Sequence, residues 1–390
     1  MGRIYLDHAA TTPTDARVLA AMWPMYSRYW GNPSSIYLEG QEARHALDDA
    51  RKRCADLLGA QPKEIVFTSG GTESDNAAIR GAAFAQRARG RGDHIVTTQI
   101  EHHAVLHTVQ QLEREGFRAT YLPVDEDGVV DLEALDAAVT TDTGVVSVMA
   151  ANNEVGTLEP IAEVARIARA RNPHVVVHTD AVQAAGAVDV TPAALGVDLL
   201  SIAGHKFYGP KGVGLLYIKA RTPWQPMLLG GSQEKERRAG TENVAGAAGL
   251  AASMQLAWQE MTSRNEHARR LRDRFLYGVP ERIAETVITG PPEPDRRLPN
   301  SFSCCFRGVE GESVLLALDL ADIAASSGSA CTTGALEPSH VLTAMGIEPD
   351  LAHASLRLTV GKENTDEEID RVLETLPAIV ARLRELAGSA

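Results

Sequence analysis

The chain has 390 residues, of which 44% are hydrophobic and 23% charged, and its formal net charge is −13. This is the balance of a globular protein long enough for two cores, and no apolar run is long enough to cross a bilayer. The longest basic blocks are short pairs such as Arg237–Arg238, whereas nucleic-acid binding usually depends on clustered Lys and Arg. Neither nucleic acid nor a membrane is therefore predicted as a partner.

The predicted elements of the first half alternate between strands and helices. The N-terminus lacks the basic lead and the apolar stretch of a secretory signal, which predicts a cytoplasmic protein. A helix is predicted over 43–58, where apolar residues recur at helical spacing and Gly59 follows as a stop signal. Strands are predicted over 64–68, 94–98, 119–124, 145–149, 175–180, 198–202 and 213–218. Such alternation predicts an α/β fold with a mostly parallel sheet between helices.

The pattern changes after about residue 245, where a long helical stretch and a proline-rich segment predict a different architecture. The elements predicted there are a helix over 244–277, a strand over 300–306, a helix over 313–320, a further helix, and a strand over 355–360. In the last helix, Thr365 and Glu368 have the spacing of a capping box. We predict a large domain over 15–250 and a smaller α+β domain over 251–390 that includes the N-terminal segment 1–14.

The segment FTSGGTESDN (67–76) joins a predicted strand to a predicted helix through two glycines. Thr72 and Asp75 have the spacing of a capping box, so free backbone N–H groups are expected to point out of the helix start. Such an end attracts phosphate, although any well-capped helix of an α/β protein has the same pattern. The segment matches neither the Walker motif nor the dinucleotide fingerprint, so a nucleotide is not implied.

Two later strands end in groups of opposite charge. Asp180 ends one strand, and Gln183 follows one turn later in HTDAVQ (178–183). Lys206 follows Gly204 and His205 directly after the next strand. An edge lysine is by itself usually only solvated. An edge lysine, an edge carboxylate at the ligand-binding ends of the strands and a phosphate-type helix start are, however, the parts that pyridoxal phosphate requires.

With these motifs the chain resembles the class V, fold-type-I pyridoxal-phosphate enzymes, and among them the cysteine desulfurases of the NifS/IscS type. Ten segments occur in the family's order and close to its spacing, over nearly the whole chain. They are YLDHAATTP (5–13), GNPSS (31–35), TSGGTESDN (68–76), EHHAV (101–105), NNEVG (152–156), HTDAVQ (178–183), GHKFYGPKG (204–212), RRAGTENV (237–244), SSGSACTTGALEPSHVL (326–342) and SLRLTVG (355–361). The resemblance implies a fold-type-I transferase, with a large cofactor-binding domain and a small domain that carries the cysteine loop.

The resemblance assigns the residues around the cofactor ring. It implies that Lys206 carries pyridoxal phosphate through a Schiff base and that Asp180 pairs with the ring nitrogen. Gln183 is expected to donate to the phenolate oxygen of the ring. His102 is expected to lie over the ring and to move protons, as an imidazole near its own titration range can, whereas its neighbour His103 is given no role.

Other residues are expected to hold the phosphate and the substrate. Gly71, Thr72 and His205 are expected to hold the phosphate, and the family takes the threonine matching Thr241 from the partner subunit, which implies a homodimer. The resemblance implies that Asn153 reaches both the cofactor and the substrate carboxylate, and that Arg357 clamps this carboxylate in a bidentate fork. Many relatives have serine where this chain has Ala203, and the short tail after the last helix leaves docking of a scaffold protein in doubt.

The four cysteines differ in their surroundings. They are too few for a disulfide scaffold and lack the C-x-x-C spacing of a zinc site, so no metal is predicted. Cys54 lies on the apolar stripe of a helix and is predicted in the core. Cys304 and Cys305 are neighbours in a strand, so their side chains are expected to face opposite sides. Cys331 lies among small residues in SSGSACTTG (326–334).

By resemblance, Cys331 is the residue that separates a desulfurase from an aminotransferase. Its thiolate is expected to attack the sulfur of L-cysteine, which leaves a persulfide on the protein and yields L-alanine. The persulfide is expected to pass to an acceptor protein, either an iron–sulfur scaffold or a thiolation protein. The amino-acid sequence of this loop is similar to that of the longer-loop desulfurase group.

Several other functions account for part of the sequence. A selenocysteine lyase, or a desulfurase dedicated to tRNA or DNA thiolation, fits the same motifs. An aminotransferase gives no role to the loop around Cys331. A cysteine hydrolase with a Cys–His pair leaves Lys206 and Asp180 unexplained, and a sulfur-relay subunit is compatible with the enzyme.

Overall fold

The computed structural model describes residues 2–328 and 338–388. Its strands are β1 (Ile4–Tyr5), β2 (Ile65–Thr68), β3 (His94–Thr98), β4 (Arg118–Leu122), β5 (Thr143–Ser147), β6 (Val176–Asp180), β7 (Leu199–Ala203), β8 (Gly214–Ile218), β9 (Thr286–Ile288), β10 (Ser301–Phe306), β11 (Ile323–Ala324) and β12 (Ser355–Thr359). Cys331, the predicted nucleophile, lies outside the described residues.

The helices lie between these strands and after the last of them. They are α1 (Ala16–Ser27), α2 (Leu38–Leu57), α3 (Gly71–Ala88), α4 (His103–Arg114), α5 (Leu132–Ala138), α6 (Ile161–Arg171), α7 (Pro192–Leu195), α8 (Gln233–Glu236), α9 (Val244–Gln259), α10 (Met261–Arg282), α11 (Gly311–Leu320), α12 (His340–Ala344), α13 (Pro349–Ala352) and α14 (Asp366–Leu386). Within the two described ranges, no helix combines the length and the apolar character needed to cross a membrane.

The large sheet has seven strands in the order β2-β8-β7-β6-β5-β3-β4. Strand β8 runs antiparallel to both of its neighbours, and the remaining pairs are parallel. Adjacent residues of β6 enter different cores, Val176 on one face and Val177 on the other, because side chains alternate across a strand. Both faces are covered by helices, which is why the strands read as nearly continuous apolar runs. The predicted α/β class with a mostly parallel sheet is confirmed.

A second sheet of three antiparallel strands, in the order β12-β10-β9, lies in the C-terminal region. Its main core also contains Ile4 and Leu6 from the N-terminal segment, and β1 pairs in parallel with β11. Cys304 lies in this core, whereas its neighbour Cys305 lies in a separate cluster on the other face. The expected opposite orientation of the two thiols is therefore confirmed.

The long helix predicted over 244–277 is two helices that meet at Glu260. Helix α9 is apolar on nearly all sides and packs into the core of the large sheet as far as Ala257. Helix α10 buries one side only, including Phe275, against the small sheet. The boundary predicted at 250/251 falls inside α9, and the division into two domains stays a prediction.

Candidate active site

A cavity of about 190 Å³ lies at the carboxyl ends of β6 and β7, where open α/β sheets bind ligands. It is lined by Gly71, Thr72, Asp75, His102, Met149, Asn153, Asp180, Val182, Gln183, Ala203, His205 and Lys206. The cavity thus brings together every residue predicted to bind the cofactor except Thr241.

Lys206 lies in the short 3₁₀ turn that directly follows β7. Its Nζ donates to the carbonyl oxygens of Ala9 at 2.6 Å and Ala10 at 2.9 Å. Gln183 also donates to the Ala9 carbonyl, at 3.0 Å. The N-terminal segment therefore positions the lysine and the glutamine, a contribution that sequence reasoning missed because it comes from backbone oxygens.

Asp180 and Asp75 form a pair of buried carboxyls at the base of the cavity. Asp180 is 5% exposed and accepts from the backbone N–H of Val182 at 2.8 Å. Burial raises its pKa, and the nearby charge of Lys206 opposes that rise. Burial and the charge of Asp180 both raise the pKa of Asp75. Because the N–H of Val182 and the charge of Lys206 both favour its ionised form, Asp180 can serve as the anionic partner of a cation in the cavity.

The predicted capping box of Thr72 and Asp75 is wrong. The N-cap of α3 is Gly70, and no side chain caps the helix. Asp75 instead points inward, with one carboxylate oxygen 3.7 Å from the Nε2 of His178, because the fifth residue of the helix faces the sheet.

The helix start nevertheless fits an anion. A Cβ on Gly71 would lie 2.7 Å from a methyl of Val182, so only glycine brings the backbone this close to the cavity. The first N–H groups of α3 have no side-chain cap, and such groups attract phosphate.

His102 is the N-cap of α4, and its Nδ1 accepts from the backbone N–H of Ala104 at 3.1 Å. Burial, with the charge of Lys206, lowers its pKa to about 4. The ring is therefore neutral near pH 7, and because Nδ1 is an acceptor the proton is on Nε2. His103 does not line the cavity and lies against His107 and His340, with ring centroids 4.8 and 4.7 Å away.

His205 also faces the cavity as a neutral ring. Its Nδ1 lies 3.1 Å from the hydroxyl of Thr11. Burial and the charges of Lys206 and Lys211 lower its pKa to about 4. A neutral imidazole at this position can donate one hydrogen bond to a phosphate without adding a charge.

Arg357 lies in β12, is 3% exposed, and does not line the cavity directly. Its guanidinium donates to the carbonyl oxygen of Asn153 at 2.7 Å and to the carboxylate of Asp7 at 2.8 Å. Its Nε has no hydrogen-bond partner within the described ranges. Asp7, in the segment YLDHAATTP, is the ionic partner that sequence reasoning missed.

Thr241 is exposed and lies outside the Lys206 cavity. It lines a different cavity of about 250 Å³, together with Ser69, Gly212 and Arg238. A single copy of the chain therefore does not bring Thr241 to the other predicted phosphate ligands.

The three described cysteines are inaccessible. Cys54, Cys304 and Cys305 are each 0% exposed. Burial raises the pKa of Cys54 and of Cys305 to about 12, and that of Cys304 well above its ordinary value. None of the three is suited to act as a thiolate nucleophile.

The chain matches the model of the family described as Aminotransferase class-V over residues 4–372. It is 49% identical over 99% of its length to a protein of Clostridium botulinum named Cysteine desulfurase IscS, of which it covers 96%. It is 50% identical over 98% of its length to a protein of the same name from Methanosarcina thermophila, of which it covers 93%.

Solved structures show the same likeness. A structure titled NifS-like protein superposes with a TM-score of 0.91 at 39% identity, covering 98% of this chain and 100% of that one. The apo structure of a cysteine desulfurase from Thermococcus onnurineus NA1 superposes with a TM-score of 0.86 at 29% identity, covering 98% and 95%.

Proposed function

Because the chain belongs to the aminotransferase class-V family, we propose that it is a cysteine desulfurase that converts L-cysteine to L-alanine and keeps the sulfur as a persulfide on Cys331. Members of this family depend on pyridoxal phosphate. The observation that carries the proposal is that Lys206 and Asp180 lie in one cavity beside the uncapped start of α3. A lysine, a buried carboxylate and a helix start are the groups that this cofactor needs.

The cavity residues fit the cofactor group by group. Lys206 would form the Schiff base and Asp180 would face the ring nitrogen. Gln183 would donate to the phenolate oxygen, and Thr72 and His205 would hold the phosphate with the Gly71 and Thr72 amides. When bound, the cofactor supplies an electron sink for the carbon next to the substrate amino group.

The substrate carboxylate is expected at Arg357 and Asn153. The Nε of this buried guanidinium has no partner within the described ranges, so it retains donor capacity for a bidentate contact. Since Asp7 already pairs with one terminal nitrogen, it holds the guanidinium plane in place before the substrate arrives.

Two groups would move protons at the substrate. Lys206 would take up a proton at its Nζ. His102 has its Nδ1 occupied by the N–H of Ala104, so Nε2 is the nitrogen that can hold or release a proton.

The nucleophile is assigned to Cys331 because the other cysteines are buried and their thiols have raised pKa values. A Cys331 thiolate would attack the substrate sulfur, and the carbon–sulfur bond would break with its electron pair left on the carbon side. The sulfur would remain on Cys331 as a persulfide, and a proton delivered to that carbon would complete L-alanine. Cys331 lies outside the described residues, so this assignment rests on exclusion and resemblance.

A second copy of the chain is proposed to complete the site. Leu19, Trp23 and Tyr26 lie on one side of α1 and are 52%, 70% and 62% exposed, and Ile36 and Leu229 are 88% and 78% exposed. Apolar side chains exposed in such number are typical of an interaction surface. A homodimer would cover them and bring Thr241 of one copy to the phosphate site of the other.

The sulfur acceptor is proposed to be a protein, either an iron–sulfur scaffold or a thiolation protein, since a persulfide must be handed on. The two relatives named IscS are compatible with the first. Cytoplasmic localisation stays a prediction.

The proposal is tested by incubating the holoenzyme with L-cysteine and measuring alanine and sulfide. Mass spectrometry after brief exposure should find one added sulfur, on the peptide of Cys331, which a reductant removes. Cys331→Ser should retain the cofactor absorbance and form almost no alanine. An added sulfur on Cys304 or Cys305 only, or full activity of Cys331→Ser, would contradict the persulfide role. Higher turnover of selenocysteine than of cysteine would instead favour a selenocysteine lyase.

A further inference from the structure

Glu154 follows Asn153 in the turn between β5 and α6 and is 4% exposed. The side chain of Asn152 accepts from the backbone N–H of Glu154 at 2.8 Å and of Val155 at 3.0 Å. These two bonds hold the turn that directs the Glu154 carboxylate inward. Neither the fold nor the cofactor assignment above gives this buried acid a role.

The carboxylate of Glu154 lies between the two flanks of residues 329–337, defined as 326–328 and 338–340. On one flank, the hydroxyl of Ser339 donates to Oε2 of Glu154. On the other, a Cβ built on Gly328 would lie 2.5 Å from the same Oε2. One carboxylate oxygen thus lies against both flanks, and a side chain at residue 328 would fit only if that carboxylate moved.

Further bonds tie the flanks to the substrate and cofactor residues. Ser326 and Arg357 exchange two backbone hydrogen bonds, at 3.2 and 2.7 Å. The Nε2 of His340 lies 2.9 Å from the carbonyl oxygen of Glu101, the residue before His102. A shift of Glu154 would therefore move the flanks relative to Arg357 and to His102.

Burying the carboxylate of Glu154 has an unfavourable free energy, because burial disfavours the charged form. Burial raises the pKa of Glu154 to about 7, while the hydrogen bond from Ser339 and the charge of Arg357 oppose the rise. The bond from Ser339 is kept whichever form is present, since a protonated carboxyl also has an acceptor oxygen.

We propose that Glu154 is a positioning residue: it ties residues 326–328 to residues 338–340, and sulfur transfer by the proposed nucleophile depends on that tie. This inference rests on the proposed function, because it concerns the proposed nucleophile. Displacing a reacting group by about 1 Å can cost about 100-fold in rate. Loss of Glu154 should therefore slow sulfur transfer and leave the earlier proton removal at the substrate's α-carbon intact.

The test separates these two steps in the holoenzyme. Exchange of the α-hydrogen of L-alanine with D₂O, followed by NMR, requires the cavity residues and no thiol. Alanine formation from L-cysteine requires the cavity residues and also the thiol of Cys331. In Glu154→Ala, alanine formation should fall by about 10- to 100-fold while exchange keeps its wild-type rate. Glu154→Gln should recover part of the loss, because its amide oxygen still accepts from Ser339.

Two further variants make the test specific. Gly328→Ala displaces the carboxylate without removing it and should reproduce the selective loss. Glu159→Gln is the matched control, since Glu159 is another buried acid close by, bonded to the backbone N–H of Val130 at 3.0 Å. It is expected to change neither rate.

The holoenzyme also offers a readout that does not depend on turnover. Because the other three thiols are buried, iodoacetamide should modify Cys331 selectively, and Glu154→Ala should be modified faster than wild type. Equal losses of exchange and alanine formation, or wild-type rates of alanine formation and alkylation, would overturn the positioning role. If Glu154→Ala does not fold, Gly328→Ala and Glu154→Gln decide the question. A wild type that is alkylated but forms no alanine would contradict the proposed function instead.

Discussion

The Lys206 cavity and the flanks of residues 329–337 are held by different kinds of contact. Asp180 ends β6 and Lys206 follows β7, and both are interior strands of the large sheet that are hydrogen-bonded on both sides. The flanks are held by two backbone bonds to Arg357, by the contact of His340 with the Glu101 carbonyl and by the side chain of Glu154. Strand ends can place side chains rigidly, whereas the two flanks depend on individual side-chain and backbone contacts.

The largest effect expected in the cavity is that of Lys206→Ala. It should abolish turnover and remove the covalent link, although pyridoxal phosphate can still bind through the remaining ligands. Absorbance and borohydride trapping measure the link, and Lys211→Ala, an exposed lysine five residues on, serves as the control. Cofactor trapped on another lysine of the variant would show that the cavity has been assigned wrongly.

The next effect is that of Asp180→Asn, which removes the charge opposite the ring nitrogen and leaves the strand end intact. Loss of one preorganised electrostatic partner costs about 100- to 1,000-fold, here in both α-hydrogen exchange and alanine formation. This equal loss distinguishes the cavity from the flanks, where only alanine formation should fall. Asp189→Asn, at an exposed carboxylate, is the control, and near-normal exchange in Asp180→Asn would refute its role.

A smaller effect is expected from mixing two inactive variants, Lys206→Ala and Thr241→Ala. If Thr241 serves the partner's cavity, half of the mixed population forms heterodimers with one intact site of two, so about a quarter of wild-type activity should return. Activity is measured after subunit exchange and compared with each variant alone. A fully active monomer by light scattering would show that the cavity is complete within one chain.

The smallest effect concerns stability at Glu159, the control residue for the flanks. Burial raises the pKa of Glu159 to about 8, so the folded protein retains a proton that the unfolded chain releases above its ordinary pKa near 4.5. This contribution to stability is present below that pKa and is lost as pH rises towards 8. Glu159→Gln should lessen the fall in stability between pH 5 and 8, on the order of 1–3 kcal/mol, measured by urea unfolding at several pH values. An unchanged slope would mean that the acid is solvated in the folded state.

Much of the fold could be predicted because its signals are local. Each strand of the large sheet was predicted within two residues of its observed start, since interior strands are continuous apolar runs bounded by turns. The capping box at Thr365 and Glu368 was also correct. The break at Glu260 was missed, because both helices continue the same helical periodicity and only their packing against different cores separates them.

Within the site, residues whose side-chain type is typical of the predicted reaction could be predicted from motifs. Residues whose role is to contact a distant part of the chain could not. Lys206 and Asp180 were found from their places at strand ends. The Asp7–Arg357 pair joins residues 350 positions apart, and Glu154 contacts residues 174 and 185 positions away. No local pattern indicates such contacts.

The sequence by itself determined the order of strands and helices, the apolar faces that form the hydrophobic cores, and the chemical types of the groups at the strand ends. Tertiary structure decided which of those groups meet. It turned Asp75 inward beside Asp180, brought the Ala9 carbonyl to Lys206 and left Thr241 outside the cavity. Periodicity acts over a few residues along the chain, whereas charge, burial and hydrogen bonding act between any atoms that folding brings within a few ångströms.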